Sequence, residues 1–166
     1  LIPTTAVWRY LDNGTNQGTA WRATAFNDAA WKTGPAQLGY GDGDEATVVS
    51  YGNNANKKHI TTYFRHAFSV SNPAAIGGLQ LRLLRDDGAI VYLNGTEVFR
   101  SNMPAGNINF NTVAGTSVEG AAESTFYTQT VSPSLLATGT NVIAVEVHQV
   151  TKNSADLSFN LELKTQ

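Results

Sequence analysis

A chain of 166 residues has the length of one domain, and 42% hydrophobic residues suffice for a sizeable core. A net charge of −2 offers no basic footprint for nucleic acid, and no apolar run reaches the length of a membrane span. The absence of cysteine excludes disulfides and thiolate zinc or redox chemistry, and a charged fraction of only 14% hands the polar surface to Asn, Gln, Thr, Ser and Gly.

In chain order, residues 6–11 read as a short first strand. No amphipathic helix is expected, and at most a turn of helix near residues 26–31 or 134–136. Residues 60–70 alternate, with Ile60, Thr62, Phe64, His66, Phe68 and Val70 on one face. Leu79, Leu81 and Leu83 share a face and lead into Asp86-Asp87-Gly88, which reads as a chain reversal. Asn94-Gly95 suits a two-residue hairpin, because both residues tolerate the positive φ of a type I′ turn. Residues 125–131 form a further strand. Residues 141–149 alternate again, with Ile143, Val145 and Val147 inward and Ala144, Glu146 and His148 outward. Residues 156–164 close the chain with Leu157, Phe159, Leu161 and Leu163 inward. Trp8, Trp21 and Trp31 are expected to pack rather than to bind. The pattern is all-β, an antiparallel β-sandwich of jelly-roll type with about eight strands.

If long strands cross the sandwich and alternate in direction, the loops 40–59, 101–122 and 150–155 gather at the end that carries Asp86-Asp87. The Asn94-Gly95 turn and the loops 71–78 and 132–140 lie at the other end. Long polar loops held by rigid strands are where sites form, so function is expected at the first end.

The loop Gly39-Tyr40-Gly41-Asp42-Gly43-Asp44-Glu45 has the composition of a calcium loop, since Ca²⁺ takes six to eight oxygen ligands; it lacks the EF-hand spacing. Of Asp86 and Asp87, one suits the capping of backbone N–H groups and the other a ligand. The expected metal residues are therefore Asp42, Asp44, Asp86 and Asp87, with Ca²⁺ the ion. For a sugar, Tyr40 and Tyr51 supply rings to stack on a pyranose, and Arg85, Asn102, His148 and Gln149 supply hydrogen bonds. No catalytic residue is identified: no carboxylate pair has a distinguishing spacing, and no Gly-x-Ser-x-Gly elbow or phosphate loop occurs. Tyr63, Arg65, His66, His148 and Gln149 supply the residue types of a jelly-roll polysaccharide lyase, a weak match.

The runs Phe26-Asn27-Asp28-Ala29-Ala30-Trp31, Leu38-Gly39-Tyr40-Gly41, Tyr63-Phe64-Arg65-His66-Ala67-Phe68, Asp86-Asp87-Gly88 to Asn94-Gly95, and Gly139-Thr140-Asn141 to Val147 occur in a recognisable order. In that order the chain resembles the galactose-binding-like β-sandwich, in the form of the sugar-binding domain of family 2 glycoside hydrolases, over residues 8–163. The Asp-Asp-Gly turn also resembles PA14-type lectin domains, where paired aspartates hold Ca²⁺ at the sugar site. The resemblance implies a non-catalytic carbohydrate-binding module that targets an attached enzyme to a polysaccharide or oligosaccharide. It would be secreted or at the cell surface, and monomeric when isolated. Residues 1–166 would form a single domain excised from a larger secreted protein, beside a catalytic domain of the same chain. The alternatives are a structural interdomain module with no ligand, which should expose an apolar patch at the loop end, and a small lyase or hydrolase.

Overall fold

The computed structural model describes residues 1–166 and has eleven strands: β1 (Val7–Leu11), β2 (Lys32–Pro35), β3 (Leu38–Tyr40), β4 (Thr47–Val48), β5 (Thr61–Val70), β6 (Leu79–Asp86), β7 (Gly88–Leu93), β8 (Thr96–Ser101), β9 (Tyr127–Val131), β10 (Gly139–His148) and β11 (Leu157–Thr165). They form a six-stranded sheet in the order β2-β1-β5-β10-β7-β8 and a five-stranded sheet in the order β4-β3-β11-β6-β9. Every pair is antiparallel except β3 with β4. The strands beyond the expected eight include β2, β3 and β4, which are too short to show an alternation.

The inward leucines, valines and phenylalanines of β5, β6, β10 and β11 interdigitate between the sheets, as their alternation predicts. Phe64 and Phe159 stack across the sandwich at 4.2 Å between ring centroids, and Trp8 meets the Phe159 edge at 4.9 Å. Asn94-Gly95 makes the expected hairpin between β7 and β8, with φ of 51° and 87°.

Asp86-Asp87-Gly88 is not a hairpin. Strand β6 pairs with β9 and β11, whereas β7 pairs with β8 and β10, so the tripeptide carries the chain from one sheet to the other. Gly88 is needed at this crossing, because a Cβ there would stand 2.6 Å from the Asn102 carbonyl oxygen.

The pairings also fix the two ends of the sandwich. Thr61 lies opposite His148, His148 opposite Gly88, Ser158 opposite Asp86 and Leu157 opposite Tyr40, so the loops 41–60, 102–126 and 149–156 meet at the crossing. The Asn94-Gly95 turn and the short connections through Pro73 and Pro133 lie at the other end, where Ile2 exchanges backbone hydrogen bonds of 3.0 and 2.9 Å with Leu163.

The outer face of the six-stranded sheet differs from expectation. Ala144, Glu146 and His148 point away from the first core as predicted, but they are buried. The segment 12–31 and the loop 102–126 cover them and build a second core from Trp21, Trp31, Tyr63, Ile90, Tyr92 and Ala144, with Phe26, Met103 and Phe110 against it. Arg65 on β5 clips this cover down. Its Nε donates to Asp28 Oδ2 at 2.8 Å, and Nη1 donates to the carbonyls of Trp21 and Ala23.

Candidate functional site at the loop end

The two crossing carboxylates divide their roles. Asp87 Oδ1 accepts from the Val118 backbone N–H at 2.8 Å and Oδ2 from that of Val150 at 2.7 Å. Asp87 thereby ties the 102–126 and 149–156 loops to the crossing, and it is the capping member of the pair. Asp86 is 1% exposed, and no N–H or hydroxyl donor of the chain meets either of its carboxyl oxygens, which lie against the carboxyls of Asp87 and Asp156. Burial first, then the carboxyl groups of Asp87 and Asp156, pushes Asp86 up to about 9.

Carboxylates from other loops surround the crossing. Asp42, Glu123 and Asp156 offer oxygens that all lie within 4.8 Å of one another. Ser158 Oγ donates to Asp42 Oδ2 at 2.8 Å, and the Gly120 N–H to Glu123 Oε1 at 3.0 Å. A second group, Asp42, Asp44 and Glu45, is local to one turn. There Glu45 accepts from the backbone N–H groups of Asp42 and Gly43, and Asp44 accepts from Gln37 Nε2 at 2.9 Å. Beside these residues opens a cleft of about 660 Å³ whose polar lining includes Asp87, Ser117, Glu119, Glu123, Thr151, Asn153, Ser154 and Asp156.

Four of the six residues expected to contact sugar are buried: Tyr40, Arg85, His148 and Gln149. A covered ring presents no face to a pyranose, and a donor buried inside the fold cannot reach a hydroxyl in solvent. The Tyr40 ring packs edge-on against half-buried Tyr51 at 5.1 Å, with Lys58 Nζ over both rings. Lys58 itself donates to the Ser154 carbonyl. Gln149 Nε2 donates to Tyr40 Oη at 2.8 Å and to the Asp156 carbonyl at 2.6 Å. His148 Nδ1 lies 3.0 Å from Thr61 Oγ1 and 2.7 Å from the Thr112 carbonyl. Its Nε2 is 3.2 Å from Glu146 Oε2, close enough for charge contact but without hydrogen-bond alignment. Arg85 Nε donates to Ser101 Oγ at 2.9 Å, and its guanidinium lies 4.1 Å over the Tyr127 ring. Asn102 is half-buried and bridges the Asp87 and Thr116 carbonyls at 2.9 and 2.7 Å. These side chains bind the loops to one another. Of the residue types a jelly-roll lyase would use, Tyr63, Arg65, His148 and Gln149 are buried, and His66 Nδ1 lies 2.9 Å from the Val7 carbonyl.

Tyr40→Phe tests this reading. The substitution keeps the ring and removes the hydroxyl that Gln149 meets, so it should cost about 1–2 kcal/mol of unfolding free energy in a denaturant titration. An unchanged midpoint would show that the hydroxyl does not hold the loop.

No protein-family model and no curated protein sequence matches the chain. Solved structures do match. A β-glucuronidase of glycoside hydrolase family 2 aligns with 87% of the chain at 20% identity and a TM-score of 0.54. A Bacteroides uniformis β-glucuronidase aligns with 96% at 16% identity and a TM-score of 0.63. A Bacteroides vulgatus β-glycosidase aligns with 99% at 15% identity and a TM-score of 0.54. The fold is that of the sugar-binding β-sandwich domain of family 2 glycoside hydrolases. The chain spans only 13%, 17% and 20% of the length of these three structures, so the likeness is to a domain-sized piece of each.

Proposed function

We propose that the chain is a non-catalytic carbohydrate-binding accessory module of a secreted or cell-surface glycan-degrading protein, and that it meets glycan at the cleft of the loop end. One observation carries the reading. Three long polar loops converge beside the sheet crossing on a cleft lined with hydroxyls, amides and carboxylates, groups that pair with sugar hydroxyls. Burial of Tyr40 removes ring stacking on that residue as the means of contact, so hydrogen bonding carries recognition. The advantage to an attached enzyme would be a raised local concentration on its polymer.

A second reading, a ligand-free spacer, is favoured by the internal bonding of the residues first expected to contact sugar. The exposed large apolar residues are Leu1, Val7, Val48 and Val113, of which Val48 and Val113 belong to the loop end. Retention of the isolated domain on a panel of neutral and uronic-acid polysaccharides, in Ca²⁺ and again in EDTA, separates the two. A binding module is retained on at least one polymer, and Thr151→Ala with Asn153→Ala weakens retention without moving the unfolding midpoint. A folded domain retained on none is a spacer.

A further inference from the structure

We propose that Asp42, Glu123 and Asp156, with Asp86 beside Asp156, form a binding site for a divalent cation of the Ca²⁺ class. The inference concerns the ion alone and stands apart from the glycan reading. Three loops distant in sequence deliver the three carboxylates: 41–46 between β3 and β4, 102–126 between β8 and β9, and 149–156 between β10 and β11. Calcium–oxygen distances are about 2.3–2.6 Å, so ligands on opposite sides of one ion stand about 5 Å apart. Oxygens within 4.8 Å of one another can therefore share an ion.

The cluster lacks any protein cation to balance it. None of the chain's ion pairs involves Asp42, Asp86, Glu123 or Asp156. The nearby Lys58 is spent on backbone carbonyls.

Asp86 supplies an independent observation. It is almost wholly buried, no N–H or hydroxyl donor meets either oxygen, and its carboxyl lies against those of Asp87 and Asp156. A buried carboxyl without partners costs stability unless something else meets it. A cation held beside Asp156 would do so. Asp42 is exposed and Glu123 and Asp156 are half-buried, which leaves one side of the ion for water. Irregular loops and a carboxylate-rich set suit the flexible coordination of Ca²⁺ better than the near-ideal octahedron of Mg²⁺. The ion would join all three loops over the sheet crossing and fix the wall of the cleft. It also revises the metal set expected from sequence: Asp87 is taken up by backbone N–H groups, and Asp44 belongs to the separate local turn.

Calorimetric titration of EDTA-stripped protein with CaCl₂, without glycan, tests the proposal alongside thermal unfolding. One ion should bind, and at a hundredfold excess over Kd the unfolding midpoint should rise by roughly 5–10 °C. Asp156→Asn and Glu123→Gln should weaken binding about tenfold or more, roughly the loss of one ligand. Asp86→Asn, which replaces the buried carboxyl lying against Asp156 by an amide, should weaken binding in a variant that folds. Asp44→Asn should bind as the unaltered chain does. The proposal is overturned by no heat and no midpoint shift at about 10 mM CaCl₂, above the range of extracellular modules. It is equally overturned if MgCl₂ binds as well as CaCl₂, or if Asp44→Asn abolishes binding that Asp156→Asn and Asp86→Asn leave intact. A failed glycan screen with Ca²⁺ bound would remove the carbohydrate reading and leave the ion in place.

Discussion

Trp21→Ala should lower the unfolding free energy by about 3–5 kcal/mol, the usual cost of emptying a large aromatic site. For a chain of this size that is a drop of roughly 6–20 °C in the unfolding midpoint. Trp21 is fully buried although it lies in a short 3-10 turn outside both sheets. Its ring meets Tyr63 edge-on at 4.8 Å and Tyr92 at 5.9 Å, and its Nε1 donates to the Gly18 carbonyl at 3.1 Å. The indole fastens the 12–31 segment to the outer face of β5 and β7. Removing it should expose Glu146 and Tyr92 to water as well as leave a cavity. Chemical denaturation followed by circular dichroism measures the loss. A change below about 1 kcal/mol would show that the covering segment contributes little and that the first core alone sustains the sandwich.

Glu146→Ala should cost a similar amount, about 3–5 kcal/mol, because it strips one partner from a buried charged network. Glu146 Oε1 accepts from Tyr92 Oη at 2.6 Å and lies 3.1 Å from Arg22 Nη2, whose guanidinium sits 4.2 Å over the Tyr92 ring. Without the carboxylate, a largely buried guanidinium and a buried phenol lose their partner together. Glu146→Gln should cost less, since it preserves shape and one acceptor, and its pH profile is the sharper test. Burial pushes the Glu146 carboxyl up, but His148, Tyr92 and Arg22 together outweigh it and hold the group below the usual carboxylate range. A carboxyl whose pKa is lower folded than unfolded contributes stability above the unfolded pKa, and this is lost as pH falls through the folded one. Unfolding free energy of the unaltered chain should therefore decline on acidification below the ordinary Glu range. The decline should be shallower in Glu146→Gln, and parallel acid limbs would exclude Glu146 as a source.

Much of this architecture can be read from the chain. Period-two alternation marks β5, β6, β10 and β11, and the turn chemistry of Asn94-Gly95 fixes a hairpin and, through it, the gathering of long loops at one end. Two limits are instructive. Alternation reports which side a residue faces but not whether that side is covered, so Ala144, Glu146 and His148 read as outward although a second layer buries them. The signal lay in Trp21 and Trp31, two large apolar rings in a segment with no strand pattern of its own, and in Arg65, a charge inside an aromatic strand that needs a partner such as Asp28. Composition also marks Asp86-Asp87-Gly88 as a reversal, yet the partners of the flanking strands decide whether a reversal is a hairpin or a passage between sheets.

The candidate site was legible in part. Asp42 and Asp86 stand in composition-rich turns that draw attention, while Glu123 and Asp156 come from loops 33 residues apart and join the others only through topology. Tyr40, His148 and Gln149 lie at strand ends, where exposure is the natural expectation. The length of the neighbouring loops buries them instead.

The bridge between Ile2 and Leu163 has a practical consequence. Both termini emerge at the pole of the sandwich away from the carboxylates, so an affinity tag or a biotinylated linker on either one would anchor the domain in nearly the same orientation. On a sensor chip the acidic loops would face the flowing solution whichever terminus is attached, and an assay of ligands in solution would not suffer from the choice of fusion site.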